Sequence, residues 1–183
     1  MVTVPVPPLS AQDLNSRIVC PEGCAIWMGK AGKPWWIYTG GISTCVVCII
    51  YEFNSPEPQI YFYHFIASGA ALFNDFNGNL PVRLAGNMGL FRVRLYRNPI
   101  LASQNTANRI NQLSGALNNC NQITVVNTNG GFNVRFSNGT FTDGVVGGPG
   151  MGRLINLAHA INTFNCMSDM GGVPVAKVLP GGW

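Results

Sequence analysis

Cys45-Val-Val-Cys-Ile-Ile-Tyr51 and Ile60-Tyr-Phe-Tyr-His-Phe-Ile66 decide the reading of this chain. Both are short apolar runs rich in β-branched and aromatic residues, which suit a pleated surface better than a helix. Between them, residues 52–58 carry Asn54, Ser55, Pro56 and Pro58, the composition of a turn. Sequential strands joined in this way usually pair, so the two runs predict a hairpin centred near Pro56. Side chains alternate across a strand, so His64 shares a face with Ile60, Phe62 and Ile66. Such a hairpin sets His64 beside Cys45.

On the N-terminal side, Thr39-Gly-Gly-Ile-Ser-Thr44 is a tight loop of small residues that delivers Cys45 to its strand. Strands are expected at 25–28 and 35–39, joined as a hairpin by the turn formers Gly29-Lys-Ala-Gly-Lys-Pro34. A short helix capped by Ser10 is expected over 10–17, and Pro5, Pro7 and Pro8 make residues 1–9 an extended arm. On the C-terminal side, residues 67–88 are small and rich in Asn and Gly, a long connection with room for one helical turn. The alternation over 90–96 predicts a half-exposed strand with Arg92 and Arg94 outward. Pro99 suits a first helical position, and Ile100, Leu101, Ile110, Leu113 and Leu117 give a core stripe for a helix reaching about Asn118. Strands at 122–127, 131–136 and 140–146 read as a meander, followed by a second helix over 151–166 and a final strand over 173–179. Strands and helices do not alternate as βαβα. The expected class is therefore α+β, with a mixed, largely antiparallel sheet and helices packed outside, in a single domain of 1–183 without repeats or linkers.

Hydrophobic residues make up 47% of the 183 residues and charged residues only 10%, against roughly 25% charged in an average domain. This excludes a disordered or solvating chain. The net charge of +4 comes from arginines such as Arg83, Arg92, Arg94, Arg97 and Arg109, which read as a solvated face. They are not interleaved with aromatics in a nucleic-acid motif, so no nucleic-acid partner is expected. No apolar run is long enough to span a bilayer, and the N-terminus lacks the layout of a Sec signal peptide. The expectation is a soluble protein, with no membrane partner, that acts in a reducing cytosol, its own or that of a host cell reached by another export route.

The chemistry centres on Cys45 and His64. A cysteine hydrolase needs an activated thiol, an imidazole that can take and return its proton, and N–H donors aimed at the developing oxyanion. Cys45 sits where a small-residue loop meets a strand. His64 lies on the pairing strand, and Thr39, at the end of the preceding strand, can accept from the imidazole and fix its tautomer. The structural alternative is equally concrete: Cys45 and Cys48 as core residues and His64 as a satisfied strand histidine.

Thr39-Gly-Gly-Ile-Ser-Thr-Cys45-Val-Val-Cys-Ile-Ile-Tyr51, followed by Tyr63-His64-Phe-Ile-Ala67, resembles the core of the glutamine deamidase family that includes the chemoreceptor deamidase CheD. Toxins such as cytotoxic necrotizing factor and Burkholderia lethal factor carry a similar Cys-His arrangement. The resemblance spans residues 36–68. Those toxins have Leu-Ser-Gly-Cys where this chain has Ile42-Ser43-Thr44-Cys45, so Thr44 replaces a glycine. The spacing of 19 between Cys45 and His64 is slightly longer than theirs, which a longer turn at 52–58 would absorb. The resemblance implies a β-sandwich-like core with outer helices. It also implies a toxin- or effector-like protein-glutamine deamidase whose partner is a protein bearing an exposed glutamine. Cys45 would be the nucleophile, His64 the acid and base, Thr39 its orienting group, and Gly40, Gly41, Ser43 and Thr44 the oxyanion loop. No cofactor is implied. Two other functions stay open on the same residues: a non-catalytic binding domain with structural Cys and His, and another cysteine hydrolase such as a peptidase.

The remaining motifs read as structural. Cys20, Cys24, Cys45 and Cys48 follow an order used by zinc sites, but Val46-Val47 is strand interior rather than a metal knuckle, so no metal is expected. Cys45 and Cys48 lack the helix N-terminus of a thioredoxin-type pair. His159 reads as a helix-borne core residue, Trp35, Trp36 and Tyr61-Phe-Tyr63 as core, and Gly147-Gly-Pro-Gly150 as a turn.

Overall fold

The computed structural model describes residues 17–20, 22–28, 35–39, 42–55, 59–84, 87–128, 132–137, 140–145 and 165–168. Its strands are β1 (Arg17–Val19), β2 (Cys24–Met28), β3 (Trp35–Thr39), β4 (Val46–Glu52), β5 (Ile60–Phe65), β6 (Phe91–Arg97), β7 (Gln122–Asn127), β8 (Phe132–Ser137), β9 (Thr140–Val145) and β10 (Asn165–Ser168). Among the described residues two α-helices, α1 (Ala71–Arg83) and α2 (Gln104–Ala116), flank β6, which follows a 3₁₀ turn at Met88–Leu90. The strands form two sheets. One has the order β1-β3-β8-β9, the other β10-β2-β5-β4-β6-β7. Of the pairings among the described residues, only β1 with β3 and β6 with β7 are parallel. The fold is thus α+β with mixed, largely antiparallel sheets.

β4 and β5 are the two central strands of the larger sheet, and this explains their composition. A strand covered on both faces has no polar side, so every residue of β5 and all of β4 except Glu52 is buried. One face carries Val46, Cys48, Ile50, Tyr61, Tyr63, Phe65, Val93 and Leu95, and it packs on Leu72, Phe76, Leu80 and Leu84 from α1 and its end, and on Ile110 and Leu113 of α2. Phe76 sits edge-on to Tyr63 and Phe65, with ring centres 5.4 and 5.6 Å away. Burying a side chain of that size contributes about 1.5–3 kcal/mol. The opposite face carries Val47, Ile49, Phe62 and His64, each fully buried.

The structure corrects several expectations. Residues 67–88 hold a thirteen-residue helix, not a single turn. The apolar positions 72, 76, 80 and 84 recur every four residues, but Gly78, Pro81 and the asparagines between them mask the stripe. α2 starts at Gln104, not Pro99, because Ser103 and Thr106 form a capping box. Ile100 and Leu101 precede the helix and are exposed. The segments at 25–28 and 35–39 are strands but not a hairpin, for β2 pairs with β5 and β10 while β3 pairs with β1 and β8. Nor do β7, β8 and β9 form a meander. α2 is a crossover that returns β7 parallel to β6, and only β8 and β9 pair as neighbours, in the other sheet. Asn165 and Cys166 lie in β10, which pairs with β2, rather than in a helix. The arm at 1–9, residues 10–16, Gly40, Gly41, the Gly147-Gly-Pro-Gly150 turn, residues 151–164 with His159, and the strand at 173–179 lie outside the described residues, as do the side chains of Trp35 and Trp36.

No helix among the described residues is long and apolar enough to cross a membrane.

Candidate active site

The β4–β5 hairpin forms as expected, in the register Val47 opposite His64 and Val46 opposite Phe65. Cys45 lies one residue before β4 and two before Val47, so continued strand alternation would put it on the His64 face as a diagonal neighbour. Cys48, three residues on, points to the helix-covered face and joins the core with Cys120. Strand alternation therefore separates the two thiols of the Cys45-Val-Val-Cys48 run, and both are free. Among the described residues no three His, Cys, Asp or Glu side chains gather as a metal site.

His64 is fully buried. Its Nδ1 lies 2.8 Å from the Thr39 Oγ1, and that hydroxyl donates to the main-chain carbonyl of Cys20, also at 2.8 Å. A threonine hydroxyl has a single proton. With that proton on the Cys20 carbonyl, Thr39 must accept from His64, which fixes the neutral imidazole as the Nδ1–H tautomer. The lone pair is then on Nε2. This nitrogen is buried and has no hydrogen-bond partner among the described residues. Burial pushes the imidazole down from 6.5 to about 4, against upward pulls from the Glu22 carboxylate and the Cys20 main chain. His64 is therefore neutral at physiological pH. Thr39, itself buried, comes from the smaller sheet, so this contact ties the two sheets together at the site.

The Cys45 thiol is buried and donates to the Glu22 Oε1 at 2.7 Å. Burial pushes it up from 9.0 to about 12, with the Glu22 hydrogen bond and then its charge acting in the same direction. The Ser43 main chain and the Thr44 side chain oppose this by favouring the thiolate. The expectation of a lowered thiol is thus not met in this arrangement. A buried thiol that donates to a carboxylate keeps its proton. Glu22 was missed in the sequence because it belongs to a turn far from the Cys45 loop along the chain. It arrives through β2, whose Cys24 pairs with His64, and through Gly23, whose N–H donates to the His64 carbonyl at 2.7 Å. Gly23 has φ 75°, a conformation that favours glycine.

Two further residues without a sequence signal hold the loop before Cys45. The Asn98 Nδ2 donates to the Ile42 carbonyl at 3.1 Å, while its Oδ1 accepts from the Ile100 and Leu101 N–H groups. The Thr106 Oγ1, in the first turn of α2, donates to the Thr44 carbonyl at 2.6 Å. One turn later, Arg109 donates to the Ala67 and Gly69 carbonyls beyond β5 and stacks over Phe73 at 4.0 Å. The start of α2 therefore clamps both the loop before Cys45 and the loop after His64. Of the seven expected site residues, Thr39 and His64 are in direct contact and Ser43 and Thr44 act on the Cys45 thiol, while Gly40 and Gly41 fall outside the described residues. Glu22 acts on both Cys45 and His64.

No protein-family model matches the chain, and no curated protein matches it.

Proposed function

We propose that this chain is a cysteine-dependent protein-glutamine deamidase, with Cys45 as nucleophile, His64 as acid and base, and Thr39 as the residue that orients the imidazole. The observation that carries this reading is the state of His64. Its Nδ1 is pinned by Thr39, while Nε2 is buried and has no hydrogen-bond partner among the described residues. Leaving a buried nitrogen unsatisfied costs about 1–3 kcal/mol, and a general base needs this lone pair.

When the thiol turns from Glu22 to His64, Nε2 takes its proton and Sγ attacks the carboxamide carbon of the substrate glutamine. The C–N bond breaks, and the proton held on Nε2 leaves with ammonia. Nε2 then takes a proton from water, whose oxygen displaces Sγ from the thioester. The glutamine becomes glutamate and the thiol is restored. The Ser43 main chain, which favours a thiolate on Cys45, would also serve the oxyanion.

The reading extends to architecture and setting. The smaller sheet is the second layer of a sandwich over the His64 face, supported by the Thr39 contact and by the burial of Val47, Ile49 and Phe62 there. The resemblance at 36–68 to deamidase toxins and to CheD supports an effector-like role on a protein substrate. The free thiols of Cys45, Cys48 and Cys120 suit a reducing site of action. A second reading, a binding domain with a structural cysteine, draws on the thiol's contact with Glu22.

Hydroxylamine trapping separates these readings. Supplied with glutamine-bearing proteins and hydroxylamine, the deamidase converts glutamine side chains to hydroxamates and leaves the chains intact. C45S gives none. Chain cleavage instead indicates a peptidase, and no modification with either wild type or Glu22→Ala, which removes the thiol's acceptor, sinks the enzyme reading.

A further inference from the structure

The turn before β2 carries an acidic side chain into the site. Glu22 is exposed as a residue, yet its Oε1 reaches the buried Cys45 Sγ to 2.7 Å, and its charge is felt at His64. A glutamate side chain has the length and branching of glutamine and differs only at its end, where the carboxylate stands for the carboxamide. The proposed reaction ends with a glutamate carboxylate beside this same thiol. The turn itself is held at the site, since Gly23 donates to the His64 carbonyl and the Cys20 carbonyl receives the Thr39 proton.

We infer that Glu22 is a tethered copy of the product: its carboxylate fills the place of the substrate carboxamide and caps the resting site. This rests on the deamidase reading and deepens it in two ways. It locates the carboxamide subsite between the Cys45 Sγ and the 20–24 turn. It also makes the resting enzyme self-inhibited, because an entering glutamine must displace Glu22. The same displacement removes the group that accepts the thiol proton and frees Sγ to turn toward His64. Glu22 enters on a turn at Glu22-Gly23 that leads into β2, so the favoured substrate is a glutamine at the tip of an exposed turn rather than one in a helix or strand.

The inference makes the protein its own test substrate. In E22Q the introduced carboxamide keeps the bulk of the native side chain and stands beside the thiol. Sγ attacks its carbon, ammonia leaves with the proton from His64, and water hydrolyses the thioester, which regenerates the wild-type sequence. Peptide mass spectrometry of purified E22Q over time reads the residue at position 22, with the double variant E22Q/C45S as control. A parallel arm compares iodoacetamide alkylation of Cys45 in wild type and E22A. The expected result is Cys45-dependent conversion of the introduced glutamine to glutamate, with Cys45 alkylating roughly ten-fold or more faster in E22A. Glutamine that persists in E22Q, with alkylation in E22A no faster than in wild type, overturns the inference. If E22Q persists while wild type still modifies added glutamine proteins, the inference falls and the deamidase reading stands. If Cys45 is freed in E22A yet neither position 22 nor any added glutamine is converted, the deamidase reading falls and Glu22 remains as the cap of a non-hydrolytic thiol.

Discussion

His64 is held by a chain of single protons. The Cys20 carbonyl takes the proton of Thr39, and Thr39 takes the Nδ1 proton of His64. Thr39→Val keeps the shape of the side chain and breaks both links. The variant is expected to lose about 1–2 kcal/mol of stability and the preference for the Nδ1–H tautomer. The imidazole ¹⁵N shifts report the tautomer directly, and an unchanged Nδ1–H form in T39V contradicts the assignment. Burial of the neutral ring also predicts a pH dependence. The folded value of about 4 lies below the ordinary 6.5, so between these values the unfolded chain binds more protons than the folded one. Stability from this group is therefore complete above about 6.5, falls as pH drops toward 4, and is flat below. The loss is on the order of 3 kcal/mol. Urea unfolding of wild type and His64→Gln across this range isolates the effect, because the glutamine variant lacks that slope.

At the scale of elements, α2 acts as a clamp. Thr106→Val removes the hydroxyl that donates to the Thr44 carbonyl, at a cost of about 0.5–1.5 kcal/mol. Its expected signature is local: faster amide exchange over 42–46, with the β6–β7 ladder unaffected. Exchange unchanged at 42–46 would show that the clamp does not act. α1 offers the opposite kind of change. Gly78 lies in its interior on an exposed side, and an added Cβ meets nothing within 4 Å. Gly78→Ala is expected to raise stability by about 0.5–1 kcal/mol, read as a higher urea midpoint. The sequence carried the central hairpin well, because strands buried on both faces leave long apolar runs with turn residues between them. It carried α1 poorly, because a stripe spaced every four residues was interrupted by residues that favour turns. The start of α2 was misplaced because Pro99 looks like a first helical residue, whereas the Ser103–Thr106 capping box sets the boundary.

At the scale of the molecule, the pairing of distant elements was not legible. Which strand joins which sheet depends on crossovers, and nothing in β2 or β3 alone states that they part company. The candidate site divides along the same line. Thr39, Cys45 and His64 could be proposed from the sequence because Cys45 immediately precedes the strand that pairs with the one bearing His64. Glu22, Asn98 and Thr106 could not, since each reaches the site through long-range packing and sits in an ordinary polar context. The state of the thiol also escaped the sequence, because burial in the fold sets it first and the contact with Glu22 second. The two sheets meet at Thr39 and His64, so the integrity of the site reports on the assembly of the whole fold.

The claim at the centre of this account is that Cys45 and His64 together hydrolyse glutamine side chains of proteins. The most direct measurement is site-resolved mass spectrometry of a cell lysate incubated with wild type, C45S or His64→Gln under reducing conditions. The account predicts glutamine-to-glutamate conversion at a small set of exposed turns with wild type, and none with either variant. Conversion that persists in C45S, or none with wild type once Glu22 has been replaced by alanine to uncap the thiol, contradicts it.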